Sequence, residues 1–406
     1  MDTNNEIDIS CNYKYTYKKS KSYSDILMLF EYISSAYNSL KKKSLKFNSI
    51  NFKINKIYNL SEIPKSSIHN SHFFPKEIQK FIDNNATYYI NVKFKLKKRS
   101  VNIYFIICKE FSNKYLLKIQ NYINMIYIWL FILDIFSYDK CTNHLDLFLY
   151  LTPFKKLLPN NQFVTIDSEH VNSAFTTGCK ENTEIVIYRE EEWYKVFIHE
   201  TFHNFGLDFS DMNLYHVNQK LKKIFNLNIE YNLYESYCET WARIIYTMIN
   251  TFLSLNSQDK KDFTTFNIAF LTNMEDECLH SLVQMLKILD FMDLNYKLIT
   301  EKSENNITIC NHLYKENTSV FSYYIISGLL INNYHNFLSW CSKNNNLLLR
   351  FKKTPGNLDS YIELINKSSK NKFILKNIKC IEKFLKKNNI SNTLRMTSNV
   401  IIDNKN

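Results

Sequence analysis

Four glycines in 406 residues leave this chain few positions where the backbone can turn back tightly. They are Gly178, Gly206, Gly328 and Gly356. Such a chain is expected to build few tight turns and many helices. Two of the four bracket one stretch, and Gly206 stands three residues after His203. A left-handed glycine there would stop a helix that carries His203.

The rest of the composition bounds the problem. Apolar residues make up 45% of the chain, with 30 Phe and 28 Tyr, enough for a sizeable core in two or three packed units. The net charge of +12 allows a nucleic-acid or anionic-membrane partner. The basic residues are scattered, however, and only Lys41-Lys42-Lys43 and Lys97-Lys98-Arg99 reach three in a row, so lysine filling ordinary surface positions is the plainer reading. Nine cysteines stand at least 31 positions apart, with no CxxC. They are expected to be free thiols in a reducing compartment. The first residues, Met1-Asp2-Thr3-Asn4-Asn5-Glu6, do not read as a signal peptide. The longest apolar run, Met125 to Leu133, is nine residues. A spanning helix needs about 20. An intracellular, cytoplasmic protein with no membrane span is expected.

Hydrophobic periodicity predicts an α+β fold. Helical spacing covers Ser24 to Leu40 and residues 114–137. Tyr88 to Phe94 alternates, Val101 to Cys108 is apolar and branched, and the two read as strands of a hairpin around Lys97-Lys98-Arg99-Ser100. Further strands are expected at Leu145 to Leu151, Val171 to Thr176 and Ile185 to Tyr188. A helix follows from about Glu191 to Phe205, then one from Tyr231 to Leu255. Residues 262–300, 318–343, 357–367 and 371–388 read as more helices, with linkers near 256–262 and 302–316. Three regions are expected: a basic α+β part over 1–110, a core over 111–255 and a helical part over 256–406.

The helix ending at Phe205 contains His199-Glu200-Thr201-Phe202-His203, an HExxH pattern. Histidines four apart share one helix face, close enough for both imidazoles to bind one ion. Glu200 points to the side, where it can hold a metal-bound water and take its proton. The flanks, from Val196 to Phe205, are otherwise uncharged. The plain alternative is a core helix with two satisfied histidines.

A zinc hydrolase needs a third protein donor. Asp208 follows closely, but the one large HExxH class that the chain resembles at Gly206 places a His or Asp six residues after the second histidine, and that position is Phe209. The helix over 231–255 offers Glu235 and Glu239 one turn apart. Glu235 is expected as the ligand and Glu239 as the partner of a ligating histidine. Those roles are exchangeable, and Asp208 stays a further alternative.

With these residues in place the chain resembles the gluzincin-type, thermolysin-like zinc metallopeptidases. The likeness extends upstream to Asn172-Ser173-Ala174-Phe175, which resembles the Asn-Ala-Phe edge strand of those enzymes. Residues 190–210 are also similar to uncharacterised HExxH proteins of large DNA viruses. The resemblance covers about residues 140–255. It implies a zincin-like core, with a small mixed sheet, the HExxH helix and a glutamate helix. It also implies one Zn2+ held by His199, His203 and Glu235, with Glu200 as general base for peptide hydrolysis. Asn172 and Ala174 would bind the backbone of a peptide or protein substrate by strand addition. An oxyanion donor would come from the C-terminal part, with Tyr237, His216, Tyr246 and His280 all open. Two other expectations stand beside this one. The zinc site could clamp a binding or virion protein without turnover, or residues 1–110 could contact nucleic acid.

Overall fold

The computed structural model describes residues 22–43, 51–109, 112–388 and 390–401. The expected frayed segment, 1 to about 20, lies outside these. The fold is α+β, with a six-stranded mixed sheet and helices on both of its faces.

The strands are β1 (Asn51–Lys56), β2 (Tyr88–Leu96), β3 (Arg99–Ile107), β4 (His144–Thr152), β5 (Ala174–Thr176) and β6 (Asn182–Arg189). Their order across the sheet is β1-β2-β3-β4-β6-β5. The predicted β2–β3 hairpin is present, in register from Tyr88–Ile107 to Leu96–Arg99. With no glycine at its turn, Lys97 takes the left-handed conformation, at φ 50°. β3, β4 and β6 run parallel, and β5 closes the edge antiparallel to β6.

Alternation along β4 explains the layers. Leu145, Leu147, Leu149 and Leu151 enter the main core, whereas Phe148 and Tyr150 enter a smaller one on the opposite face. The small core is covered by α2 (Lys76–Asn85) through Ile78 and Ile82. The main core packs against α1 (Tyr23–Lys43) and α3 (Asn113–Phe136). α3 is the one helix among the described residues long and apolar enough to cross a membrane, but 67% of that stretch is buried within the fold.

After β4 come the single turn α4 (Ser168–Val171), then α5 (Trp193–Asn204), α6 (Tyr215–Ile224), α7 (Leu233–Ser254) and α8 (Phe263–Phe291). They are followed by α9 (Tyr296–Thr300) and α10 (Glu304–Leu313). Next are a π-helical turn (Phe321–Ile326) continuing into α11 (Ser327–Ile331), and then α12 (Tyr334–Asn344), α13 (Pro355–Ser369) and α14 (Lys372–Leu385). Residues 390–401 form no helix or strand element and lie as a strap over α7 and α8. One buried cluster runs from Ile26 to Met396 and draws on all three regions expected from the sequence.

Three expectations need correction. The strand over Val171 to Thr176 begins only at Ala174, because Asp167 caps α4 and the turn ends at Asn172. The expected linker at 302–316 contains α10, capped by Ser303. The cysteines are not all free: Cys141 and Cys179 form a disulfide, with Cα atoms 4.9 Å apart, and Cys380 is also disulfide-bonded. Sequence spacing gave no hint of these approaches, and the inference of a reducing compartment loses its premise.

Gly206 does what its position suggests. At φ 71° its N–H donates to the His203 carbonyl, and the next N–H, from Leu207, reaches back to Phe202 at 2.9 Å. These are the two bonds of a Schellman cap. A Cβ here would meet Cys141 Sγ at 3.1 Å and Tyr138 at 3.2 Å. Gly206→Ala is therefore expected to lower stability by about 1–3 kcal/mol. A melting temperature equal to wild type would show that the cap does not depend on glycine.

Candidate metal centre

α5 is buried on every side except at His203, and it is gripped at both ends. Glu192 precedes it in the left-handed conformation, at φ 58°. That strained residue is held by Lys156 Nζ at 3.0 Å and by the Thr397 N–H at 2.7 Å. Midway, Trp129 of α3 donates to Thr201 Oγ1 at 2.8 Å.

α7 packs along α5 and brings Glu235 to the histidines. His199 Nε2 lies 3.0 Å from Glu235 Oε2, and His203 Nε2 lies 3.5 Å from the same oxygen. The two Nε2 atoms are 3.3 Å apart. Zinc with bonds of about 2.0–2.1 Å in tetrahedral geometry would separate its donors by about 3.3–3.4 Å. The triangle fits that ion.

The remaining ring nitrogens fit it too. His199 Nδ1 lies 3.1 Å from Glu239 Oε2, whose two oxygens both accept from Lys195 Nζ, at 2.8 and 2.9 Å. His203 Nδ1 lies 2.5 Å from Asp208 Oδ2, and Ser210 donates to the other Asp208 oxygen. Each histidine thus turns Nε2 to the shared point and Nδ1 to its own carboxylate, the arrangement that orients imidazole ligands. Of the three carboxylates weighed from sequence, Glu235 faces both histidines, while Glu239 and Asp208 each stand behind one. Cys238 Sγ makes a looser group, 3.9 Å from both His203 Nδ1 and Asp208 Oδ2. Burial pushes its thiol well up, which keeps it protonated and a poor donor.

Charge in the cluster is strongly biased. Burial works against ionised Glu235, yet the charge of His203 and hydrogen bonds from both rings pull it down to about 2. Burial also opposes protonation of His199, but Glu235 and Glu239 overcome it and raise that ring. Glu200 is different. Burial raises its carboxyl, with His199 and His203 pulling the other way. A carboxyl moved toward neutrality suits proton transfer.

Glu200 and His199 line a cavity of about 40 Å³, with Asn172, Ser173, Ala174 and Tyr323 on its walls and Met396 of the strap beside them. That is room for one or two waters. Of the two edge-strand residues expected from sequence, Ala174 is in place. Tyr188 N–H bonds the Ser173 carbonyl, so by the alternation of an antiparallel ladder Ala174 turns its N–H and C=O away from β6, to the open edge. Asn172 is a correction. Its N–H bonds Ser168 and its carbonyl accepts from Arg189, so its backbone is taken.

None of the four expected oxyanion donors lines this cavity. Tyr237 donates to the Leu349 carbonyl, and His280 bonds the Arg395 carbonyl. Tyr246 stacks edge-on with Tyr194, and His216 is exposed on α6. The residue that does reach it is Tyr323, whose ring centre lies 5.8 Å from that of His199. It sits in the π-helical turn, a geometry frequent at functional sites and without a sequence signature. Tyr234 flanks the other histidine, with ring centres 6.0 Å apart.

The turn carrying Tyr323 is anchored by Glu316, whose Oε2 accepts from Tyr314 Oη and from the Phe321 N–H, both at 2.7 Å. Burial pushes this carboxyl up to about 7, with those hydrogen bonds opposing. Compared with protein-family models, curated proteins and solved structures, the chain matches none.

Two outcomes follow. Glu235→Ala is expected to weaken zinc binding beyond the roughly 10–100-fold loss expected for Asp208→Asn, which only frees one ring. Calorimetric zinc titration orders the two, and a greater loss in Asp208→Asn would make Asp208 the third donor. For Glu316, the folded value lies above the ordinary carboxylate one. Its contribution is therefore complete below the unfolded value and is lost as pH rises through about 7. Glu316→Gln should show a smaller fall in melting temperature between about pH 5 and about pH 8 than wild type. Equal falls would mean that Glu316 does not govern this range.

Proposed function

We propose that this protein is a zinc-dependent peptide hydrolase of the gluzincin type, with a zincin-like core formed by the sheet edge, α5 and α7. The observation that carries the reading is the convergence of His199, His203 and Glu235 at 3.0–3.5 Å, beside a buried Glu200 and an open strand edge. His199, His203 and Glu235 would hold the ion, which supplies Lewis-acid polarisation of a water and of the scissile carbonyl when bound.

The chain's own groups supply the rest. Glu200 takes a proton from the attacking water and delivers it to the leaving amine. The outward N–H and C=O of Ala174 align the substrate backbone as an added strand. Tyr323, on the cavity wall, would donate its hydroxyl to the developing oxyanion. Glu239 and Asp208 keep the two rings oriented, and Lys195 keeps Glu239 ionised within the core.

A second reading draws on the size of the cavity. About 40 Å³ beside Glu200 does not admit a peptide without movement of a wall. A zinc-stabilised binding or virion protein without turnover would be built this way too.

One pair of variants separates the readings. Glu200→Gln should retain one zinc per chain and lose peptide cleavage by at least about 100-fold, since general-base catalysis contributes typically 10²–10⁴-fold. Ala174→Pro removes an N–H that the sheet does not use, so it should fold, keep zinc and lower kcat/KM by about tenfold, the worth of one hydrogen bond. Zinc binding with no cleavage of any peptide in a degenerate library would favour the second reading. Absence of bound metal in the wild type would remove both.

A further inference from the structure

The strap over residues 393–397 has two faces, as an extended chain must. Leu394 and Met396 point inward, and Met396 borders the cavity at Glu200. Thr393, Arg395 and Thr397 point the other way, into a second, larger pocket of about 560 Å³ between the strap and α8. That volume falls within the range that holds small molecules.

The pocket is built of polar groups, and two of their buried atoms make no hydrogen bond among the described residues. Lys287 is only 6% exposed. Its ammonium donates to the Thr393 carbonyl but has no ion-pair partner among the described residues. Burial lowers it to about 8 with no compensating carboxylate. Among the described residues, the side-chain oxygen of Gln284, 3% exposed, accepts no hydrogen bond, and buried Arg395 Nε donates none. The one carboxylate on the lining, Asp276, is eleven residues from Lys287 along α8, about 16 Å away, and is exposed. Asn250 and Asn273 line the same distant end.

A buried cation without a counter-ion and a buried carbonyl without a donor are both costly. One ligand could satisfy both. We propose that this pocket binds a small organic anion, with its phosphate or carboxylate at Lys287 and Arg395 and hydroxyl donors toward Gln284. An apolar ligand does not fit, because among the described residues only Val283, Ile390 and Val400 bring aliphatic side chains to the lining. The site is separate from the metal centre and stands or falls independently of the hydrolase reading.

The test is calorimetric titration of the full chain, as purified, with glucose 6-phosphate, gluconate and glucose at physiological salt. One molecule of glucose 6-phosphate or gluconate per chain, binding at least about tenfold more tightly than glucose, is expected. Whichever of the two binds more tightly tells phosphate from carboxylate. Lys287→Met should weaken binding of that anion by at least about tenfold, while Lys41→Met, on the exposed end of α1, should not. Hydrogen exchange keeps the proposal testable if Lys287→Met fails to fold, because bound anion should slow exchange in the wild type at 280–287 and 393–399. No saturable binding below about 10 mM, equal loss in the two lysine variants, or protection confined to other segments would each overturn the assignment.

Discussion

The pairing of charge between α5 and α7 sets the position of nearly everything else. His199 meets a carboxylate at each ring nitrogen, Glu235 on one side and Glu239 on the other. Glu239 is neutralised by Lys195, in a salt bridge whose side chains are 2% and 1% exposed. Around them lie two more pairs of similar depth, Lys156–Glu192 and Arg243–Glu277. Removing one member of such a pair costs about 3–5 kcal/mol, because its partner is left charged in the core. The helices therefore cannot slip by a turn without breaking several pairs at once. Yet buried ion pairs are rarely better for stability than apolar side chains of similar volume. A fold that concentrates them under two histidines has an arrangement explained more readily by a site than by packing.

How much of this could be read from the chain depends on where the information lies. The HExxH residues and Glu235 were legible because helical spacing is local, and a turn of helix converts four positions into one face. β2 was legible by its alternation, and β3 and β4 by their long apolar runs, since both faces of the sheet are covered there. β1 was not, since Asn51-Phe52-Lys53-Ile54-Asn55-Lys56 carries only two apolar residues and sits at an edge. α2, α6 and α10 were missed for a related reason: each is ten residues long and mostly polar, with one or two buried side chains. Tyr323 was beyond reach altogether. It lies 124 positions after His199, one tyrosine among 28, and the π-helical turn that aims it leaves no pattern.

Glycine scarcity proved informative in an unexpected way. The backbone still needs left-handed residues, and it places Lys97, Thr142, Leu151, Glu192 and Asp293 in that conformation. Each costs of order 1–3 kcal/mol and persists only where neighbours fix it. Two of the five border α5. Glu192 precedes its first residue, and Thr142 bonds the Asn204 carbonyl at its last turn, at 2.7 Å. Thr142 also adjoins the Cys141–Cys179 disulfide that packs against Gly206. Both termini of α5 are thus held in place by strained or cross-linked backbone, which limits the freedom of His199 and His203 without any contact to them.

The two walls of the cavity beside Glu200 are both tied down. Met396 belongs to a strap whose next residues donate three hydrogen bonds to one Glu277 oxygen, from Thr397 Oγ1, the Ser398 N–H and Ser398 Oγ, each at 2.8 Å. Leu394 is fixed as well, through Lys156 and Tyr324. The opposite wall carries Tyr323 on a π-helical turn, whose entry is joined to the sheet-edge segment through the Ile166–Glu316 bridge and the Asn317 N–H to the Ile166 carbonyl. The Glu316 carboxyl, pushed up to about 7 by burial, anchors that entry through Tyr314 and Phe321. The Tyr324–Leu394 bond joins the two walls, and the strap lies as a floor between the cavity and the polar pocket behind it.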